Sequence, residues 1–274
     1  SEDEHFNGEL RRVLEGSGIP VEMVKAEYSP GQVELNLEYA EAMESADRHV
    51  LFKTAAKELA QRQDLTATFM AKWHSDFGGS SCHIHLSMMK ESGGSAFEDS
   101  DGGDSDTLRY FLGGLTAHAR DFFLFFAPNT NSYKRLVPNT FAPSRITWGD
   151  DNRTVAFRLL GSGDARRIEN RIPGADVNPY LCYAAMLAAG LYGIENRIDP
   201  AIEAQSGNAY AGDGGMAMPG SLTEANEAFA ASAVVAETLG EDVRDHYANW
   251  GRQTMTAMAG QVTDFERRML LHDI

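Results

Sequence analysis

Cysteine is scarce in this sequence of 274 residues, which contains only Cys82 and Cys182. A single pair cannot build a disulfide framework, so the sequence favours a reducing, cytoplasmic environment. Long hydrophobic runs are also missing. The longest apolar stretch, residues 181–194, contains two glycines and is shorter than the roughly 18 residues that a spanning helix needs. We therefore expect no association with a membrane.

Positive charge is in short supply as well. Lys and Arg number 24 against 40 Asp and Glu, which gives a formal net charge of −16. Because binding to a phosphate backbone needs a basic face, this balance argues against nucleic acid as a partner. The apolar content of 43 % is enough for one large globular domain with a sizeable core.

Hydrophobic periodicity predicts helices in blocks and several separated strands. A helical spacing of apolar residues occurs at residues 8–15, 45–62, 107–126, 178–194, 221–239 and 241–271. Two helix-start signals are Asn178 before Pro179, and Ser221 three residues before Glu224. Alternating or β-rich patterns predict strands at residues 33–38, 81–86, 153–159 and 166–172. This arrangement indicates an α+β fold rather than a regular βαβ winding.

The segment RRIENRI, residues 166–172, places charged side chains on one face of its predicted strand. Side chains two apart point the same way, so Arg167, Glu169 and Arg171 share a face. Such a face is costly inside a sheet unless a charged ligand binds there. Taken alone, the stretch is more often an ion-pair ladder or a solvated face.

Two other segments carry side chains that can bind metals. Glu34 lies on the polar face of VELNLE, seven residues after Glu27, although a plain amphipathic strand would show the same pattern. His83 and His85 share a face in SCHIHL, which suits a metal but also fits ordinary hydrogen-bonded side chains. A zinc site that adds Cys82 is a weak hypothesis, because Cys82 faces away from both histidines.

Arginines are concentrated in three short segments of this acidic chain, which predicts that they bind an anion. They are Arg135, Arg153, Arg158, Arg167 and Arg171. The planar guanidinium group suits carboxylate and phosphate because it donates two hydrogen bonds at once. Carboxylates with one histidine suit Mg²⁺ or Mn²⁺ that carries phosphates. Together these residue types predict phosphoryl transfer to a carboxylate substrate.

Four stretches of sequence, in this order, resemble the glutamine synthetase family: TATFMAKW, GSSCHIHLS, NSYKRLVPNTFAPSRITWGDDNRTVAFRL and ARRIENRIPGADVNPYLCYAAMLAAGL. The resemblance implies that residues 1–274 form a catalytic domain of this type, with a large curved antiparallel sheet and helices packed outside. It implies an ATP-dependent ligase that joins the γ-carboxyl of glutamate to ammonia or a primary amine through a γ-glutamyl phosphate. It also implies a homo-oligomeric ring.

The resemblance also gives each candidate residue a role. The ligands of Mg²⁺ or Mn²⁺ would be Glu27, Glu34, His83 and Glu169. Glutamate would be bound by Arg135, Arg171 and the backbone of Gly79. The nucleotide of ATP would be contacted by Arg158, Arg167, His85 and Ser87. The catalytic residues would be Arg153, which stabilises the transferred phosphoryl group, and Glu27.

Departures from the family pattern leave alternatives open. Each family metal takes a further glutamate from a preceding strand, and an amino-terminal domain completes the neighbouring site. Neither has a counterpart in this sequence, so we expect an incomplete site.

Phe141 stands where glutamine synthetases have a flap glutamate. This favours a larger amine over ammonia, whereas a shifted loop with another carboxylate would retain ammonia. The other hypotheses are a non-catalytic binding or assembly module and a zinc-dependent hydrolase, which leaves the arginines unexplained.

Overall fold

The computed structural model describes residues 4–137 and 140–271 of the chain. Its helices are α1 (Glu4–Gly16), α2 (Ala42–Arg62), α3 (Asp106–His118), α4 (Phe123–Phe126), α5 (Pro179–Glu195), α6 (Leu222–Ala231), α7 (Ala233–Leu239), α8 (Glu241–Ala259) and α9 (Asp264–Leu270). Its strands are β1 (Val21–Ala26), β2 (Val33–Leu37), β3 (Ile84–Leu86), β4 (Arg145–Ile146), β5 (Trp148–Asp150), β6 (Phe157–Leu160), β7 (Arg167–Asn170) and β8 (Met216–Ala217). The mixture of helices and strands agrees with the predicted α+β class.

The expected large curved antiparallel sheet is wrong in its detail. In the part of the chain that the structure describes, the strands form small sheets of two, four and two strands. The four-stranded sheet has the order β3-β7-β6-β5, and β5 runs parallel to β6. The strands are short because side chains close turns inside the predicted segments. Asn152 Oδ1, for example, accepts hydrogen bonds from Thr154 N and Oγ1, so the strand predicted from residue 153 begins only at Phe157.

Side-chain caps divide the longer predicted helices. Ser232 ends α6 and its hydroxyl accepts a hydrogen bond from Val235 N at the start of α7. The hydroxyl of Thr263 starts α9 in the same way. A capping side chain gives the backbone N–H groups a partner outside the helical ladder, so apolar periodicity alone does not detect these breaks. The predicted caps at Asn178 and Ser221 are confirmed.

The main hydrophobic core lies on one face of the four-stranded sheet. The buried side chains Ile84, Leu159 and Ile168 point into it from three neighbouring strands. Burying each large apolar side chain contributes roughly 1.5 to 3 kcal/mol. Helices α3 and α5 pack closely beneath, because a Cβ on Gly114 would lie only 2.0 Å from the carbonyl oxygen of Ala189. The opposite face of the sheet is therefore left for polar side chains.

A second, smaller core supports the hairpin of β1 and β2. It contains Leu10, Leu14, Ile19, Ala56 and Leu59, which come from α1, α2 and the segment between α1 and β1. No helix in the described ranges is both long and apolar enough to cross a membrane.

Candidate active site

A row of polar side chains crosses the four-stranded sheet on the face opposite the core. In the strand register, His85 of β3 and Arg158 of β6 both lie opposite Glu169 of β7. The flanking residues Ile168 and Leu159 point into the core, so strict alternation turns Glu169 and Arg158 to the other face. The same alternation that buries the apolar side chains therefore assembles this row.

Glu169 is the centre of the row. The residue is only 2 % exposed. Oε1 lies 3.2 Å from His83 Nδ1 and accepts a hydrogen bond of 2.7 Å from Arg171 Nη1. Oε2 accepts a hydrogen bond of 3.0 Å from Arg158 Nη1. A buried carboxylate needs such partners, and these two guanidinium groups supply the opposite charge.

Burial favours the neutral form of the two histidines beside Glu169. Desolvation and the positive charge of Arg171 lower the pKa of His83 well below its ordinary value. Desolvation also lowers the pKa of His85, although Glu169 opposes this shift. Neutral imidazole is the form that binds metal ions, so both histidines are available as ligands.

Arg135 and Arg171 are buried and retain unused hydrogen-bond donors. Their residues are 3 % and 8 % exposed, and the Nε atom of each has no partner in the described part of the chain. Arg135 Nη2 donates to the carbonyl oxygen of Ile172. Burial lowers the pKa of Arg135 to about 10, so its guanidinium stays charged at neutral pH. Two buried cations with free donors suit a carboxylate ligand.

Gly79 is required by the packing of Arg135. A Cβ at this position would lie 2.3 Å from Arg135 Cγ and 2.8 Å from the carbonyl oxygen of Ala71. The carbonyl oxygen of Gly79 accepts a hydrogen bond of 3.1 Å from Gln32 Nε2. The backbone at Gly79 is therefore fixed directly against the side chain of Arg135.

Glu27 and Glu34 form a second carboxylate group on the hairpin of β1 and β2. Lys25 Nζ lies 3.0 Å from Glu27 Oε1 and 3.1 Å from Glu34 Oε2. The contact between the two carboxyls lowers the pKa of Glu27. Burial and the same contact raise the pKa of Glu34. Sequence reasoning missed Lys25, although its position two residues before Glu27 was a usable signal.

The remaining predicted residues lie around these groups. Arg167 Nε donates to His85 Nδ1 over 3.1 Å. Ser87 is exposed directly after β3. Arg153 is exposed in the turn before β6, and no hydrogen bond or ion pair joins its side chain to the other site residues in the described ranges. The structure therefore brings together the set around Glu169 and the pair on the hairpin, but it does not bring Arg153 into contact with either.

Comparison with known proteins identifies the family. The family described as glutamine synthetase, catalytic domain, matches residues 1–270. The chain belongs to this family.

Relatives of this glutamine synthetase catalytic domain include amine ligases. The chain is 44 % identical to the γ-glutamylethanolamide synthetase of Streptomyces coelicolor over 94 % of its own length and 55 % of that protein. It is 41 % identical to the glutamate–isopropylamine ligase of a Pseudomonas species over 88 % of its length and 53 % of that protein. The chain thus spans about half the length of these curated relatives.

A solved structure described as GmaS without ligand has the same fold. It superposes with a TM-score of 0.89 at 36 % identity, and the match covers 99 % of this chain and 63 % of that one. A GmaS complex with ADP matches equally well, with a TM-score of 0.89. The similarity of fold extends over the described elements rather than over a single motif.

The donor chemistry of the site fits the divalent metals that the glutamine synthetase family uses in general. His83 with Glu169, and Glu27 with Glu34, supply nitrogen and carboxylate oxygen donors. Within residues 4–137 and 140–271, no group of three or more His, Cys, Asp or Glu side chains could hold a metal ion by itself. Neither pair alone completes a coordination sphere.

Proposed function

We propose that this chain forms the catalytic domain of an ATP-dependent ligase that joins the γ-carboxyl of glutamate to a primary amine or ammonia. The observation that carries the proposal is the buried carboxylate of Glu169, contacted by His83, Arg158 and Arg171 on one face of the sheet. Family membership and the amine ligases among the relatives support the same reaction.

The reaction has two steps. An oxygen of the γ-carboxylate attacks the terminal phosphorus of ATP, and the bond between that phosphorus and the oxygen of ADP breaks. The amine nitrogen then attacks the γ-carbonyl carbon of the γ-glutamyl phosphate. The carbon–oxygen bond to phosphate breaks, the nitrogen loses a proton, and the products are an amide and inorganic phosphate.

The residues of the chain have distinct parts in this reaction. Arg135 and Arg171 bind the carboxylates of glutamate, and the fixed backbone at Gly79 borders that site. Arg158 and Arg167, with His85 and Ser87 beside them, contact the nucleotide phosphates. Arg153 is the exposed cation that approaches the transferred phosphoryl group. These cations stabilise the negative charge that develops in the transition state.

The proposed metal ligands are His83 and Glu169 at one site and Glu27 and Glu34 at the other, for Mg²⁺ or Mn²⁺. A bound divalent ion would neutralise phosphate charge. We also propose Glu27, whose neighbour in sequence is Tyr28, as a catalytic residue, and the proton released by the amine passes to solvent.

An aromatic pair supports an organic amine as the acceptor. The rings of Tyr28 and Phe141 are 5.1 Å apart, although the two residues lie far apart in sequence. Their residues are 79 % and 61 % exposed, so the pair presents apolar surface, and Tyr28 directly follows Glu27 in the chain. A phenylalanine side chain cannot accept a proton from ammonium, whereas two rings can pack against a carbon substituent. We therefore propose that the acceptor is an amine with such a substituent.

The test is phosphate release by the complete protein in which this chain occurs. The reaction contains ATP, glutamate and Mg²⁺, with ammonia, methylamine, isopropylamine or putrescine in parallel. Strongest release with an organic amine supports the proposal, and strongest release with ammonia would contradict the choice of acceptor. No release with any amine would contradict the ligase proposal and favour a non-catalytic module.

A matched pair of variants tests the aromatic surface. Phe141→Glu should shift the preference from organic amines towards ammonia. Phe265→Glu changes a residue that is also exposed, at 64 %, on α9, and should leave the preference unchanged.

We also propose that residues 1–274 act as one catalytic domain, that the complete protein assembles as a homo-oligomeric ring, and that it functions in the cytoplasm. The two free cysteines, Cys82 and Cys182, agree with a reducing compartment.

A further inference from the structure

Asp176 connects the loop before α5 to the turn that carries Arg135. Its Oδ2 accepts a hydrogen bond of 2.6 Å from Ser132 Oγ and one of 2.9 Å from Asn129 Nδ2. Ser132 Oγ in turn accepts a hydrogen bond of 3.0 Å from Asn129 N. The carbonyl oxygen of Ser132 accepts a hydrogen bond of 3.2 Å from Arg135 N. The carboxylate of Asp176 therefore fixes the turn that leads into Arg135.

The loop that carries Asp176 is itself held from two sides. Lys53 Nζ, from α2, donates to the carbonyl oxygens of Ala175 at 2.6 Å and Val177 at 3.2 Å. Ala175 N donates to the carbonyl oxygen of Ser80 over 3.0 Å, directly beside Gly79. One loop thus ties α2 to the segment that packs against Arg135.

Gly174 leaves room for the carboxylate. A Cβ at Gly174 would lie 2.4 Å from Asp176 Oδ1. Oδ1 is buried and has no hydrogen-bond partner in the described part of the chain, so direct contacts leave this oxygen unsatisfied. Burial lowers the pKa of Arg135, and Asp176 is the foremost charge that opposes this effect. The carboxylate therefore acts on Arg135 through charge as well as through the turn.

We propose that Asp176 is a positioning residue for the site that binds the carboxylate of the substrate, because it holds the Asn129–Ser132 turn and balances the buried charge of Arg135. Only the identity of that carboxylate, glutamate, rests on the proposed function. The side-chain hydrogen bonds of Asp176 in the described residues go to Asn129 and Ser132, so its effect reaches the site through Arg135.

The test compares Asp176→Asn with wild type in the complete protein. The variant keeps the shape of the side chain but loses the charge. The KM for glutamate should rise about tenfold or more, because hydrogen bonds to a charged group are stronger than neutral ones. The KM for ATP should change less than about twofold, since Arg135 serves the carboxylate site. Ser132→Ala removes one donor and should give a smaller rise in the same constant, and it keeps the test available if Asp176→Asn does not fold.

Hydrogen exchange gives a readout that needs no activity. Exchange of the backbone amides of residues 129–135 should become faster in Asp176→Asn, while those of β6 remain unchanged. Tyr180→Phe is the control, because it alters a nearby exposed side chain that hydrogen-bonds Asp47 on the surface. It should change neither readout.

The possible outcomes separate the two proposals. An active wild type with an unchanged KM for glutamate in Asp176→Asn would overturn the positioning role. Hydrogen exchange that is unchanged in Asp176→Asn, or that becomes faster throughout the protein, would also overturn the positioning role. An inactive wild type with faster exchange confined to residues 129–135 would contradict the ligase function and still support the role of Asp176 in holding Arg135.

Discussion

Arg158 and Glu169 face each other across β6 and β7, and Arg158 Nη1 donates a hydrogen bond of 3.0 Å to Glu169 Oε2. The other oxygen of Glu169, Oε1, accepts a hydrogen bond from Arg171 Nη1, so one carboxylate lies between two guanidinium groups. Arg158 has a second partner in Asp151, whereas the ion pairs of Arg171 in the described ranges involve Glu169 alone. The charge of Arg171 is thus balanced by Glu169, whereas the charge of Arg158 is shared between Glu169 and Asp151.

We expect Glu169→Gln to reduce the free energy of unfolding by about 3 to 5 kcal/mol, because it leaves the buried guanidinium of Arg171 without its ion-pair partner in the described residues and removes one of the two partners of Arg158. Chemical denaturation checks this value. Glu237→Gln, at an exposed position on α7, should stay within about 0.5 kcal/mol of wild type. Equal stability of both variants would show that the carboxylate does not hold the arginines together.

Arg171→Ala should abolish measurable glutamate binding by calorimetry while binding of ATP persists, because a buried guanidinium with a free donor is lost from the carboxylate site. Arg166→Ala is the matched control. Arg166 lies on the same segment but pairs with Asp104 and Asp150 over 2.8 Å, away from Glu169. Glutamate binding that survives Arg171→Ala would contradict the assignment.

Gly79→Ala should lower the free energy of unfolding by about 1 to 3 kcal/mol and weaken glutamate binding, because the new methyl group would overlap Arg135 and the backbone at Ala71. Gly207→Ala introduces the same methyl group where no heavy atom lies within 4 Å. It should be neutral in both assays. A Gly79→Ala protein that binds glutamate normally would mean that Arg135 can move aside without loss.

Stability should fall as the pH is lowered from about 6.5 towards 4, in part through His49. Burial lowers the pKa of His49 to about 4, with a smaller contribution from Lys53, and Cys82 Sγ lies 3.9 Å away. In this pH window the unfolded chain binds a proton that the folded chain excludes, so protonation favours unfolding. The effect is at most about 3 kcal/mol.

Urea denaturation of His49→Gln between pH 7 and pH 4 checks this dependence. In His49→Gln, the free energy of unfolding should depend less on pH than in wild type. In His5→Gln, at an exposed position on α1, it should depend on pH as in wild type. Identical pH profiles for His49→Gln and wild type would show that His49 titrates normally in the folded protein.

Local patterns predicted much of the site. Alternation in RRIENRI placed Arg167, Glu169 and Arg171 on one face, and Arg171 and Glu169 are indeed hydrogen-bonded there. The Asn178 cap was predicted because a capping side chain acts within three residues. The strand β1 and its Lys25 were missed, since the segment VEMVKA alternates weakly and its pairing partner, β2, lies beyond a turn.

The order of motifs, the α+β class and the residue types of the site were determined by the sequence, because periodicity and strand alternation act over a few residues. Only the tertiary structure decided that Asp176 meets Ser132, that Gly79 lies against Arg135, and that Tyr28 pairs with Phe141. These contacts join residues 44, 56 and 113 positions apart, respectively, as their residue numbers show. Packing between separate elements sets such distances, and no local pattern in the chain encodes them.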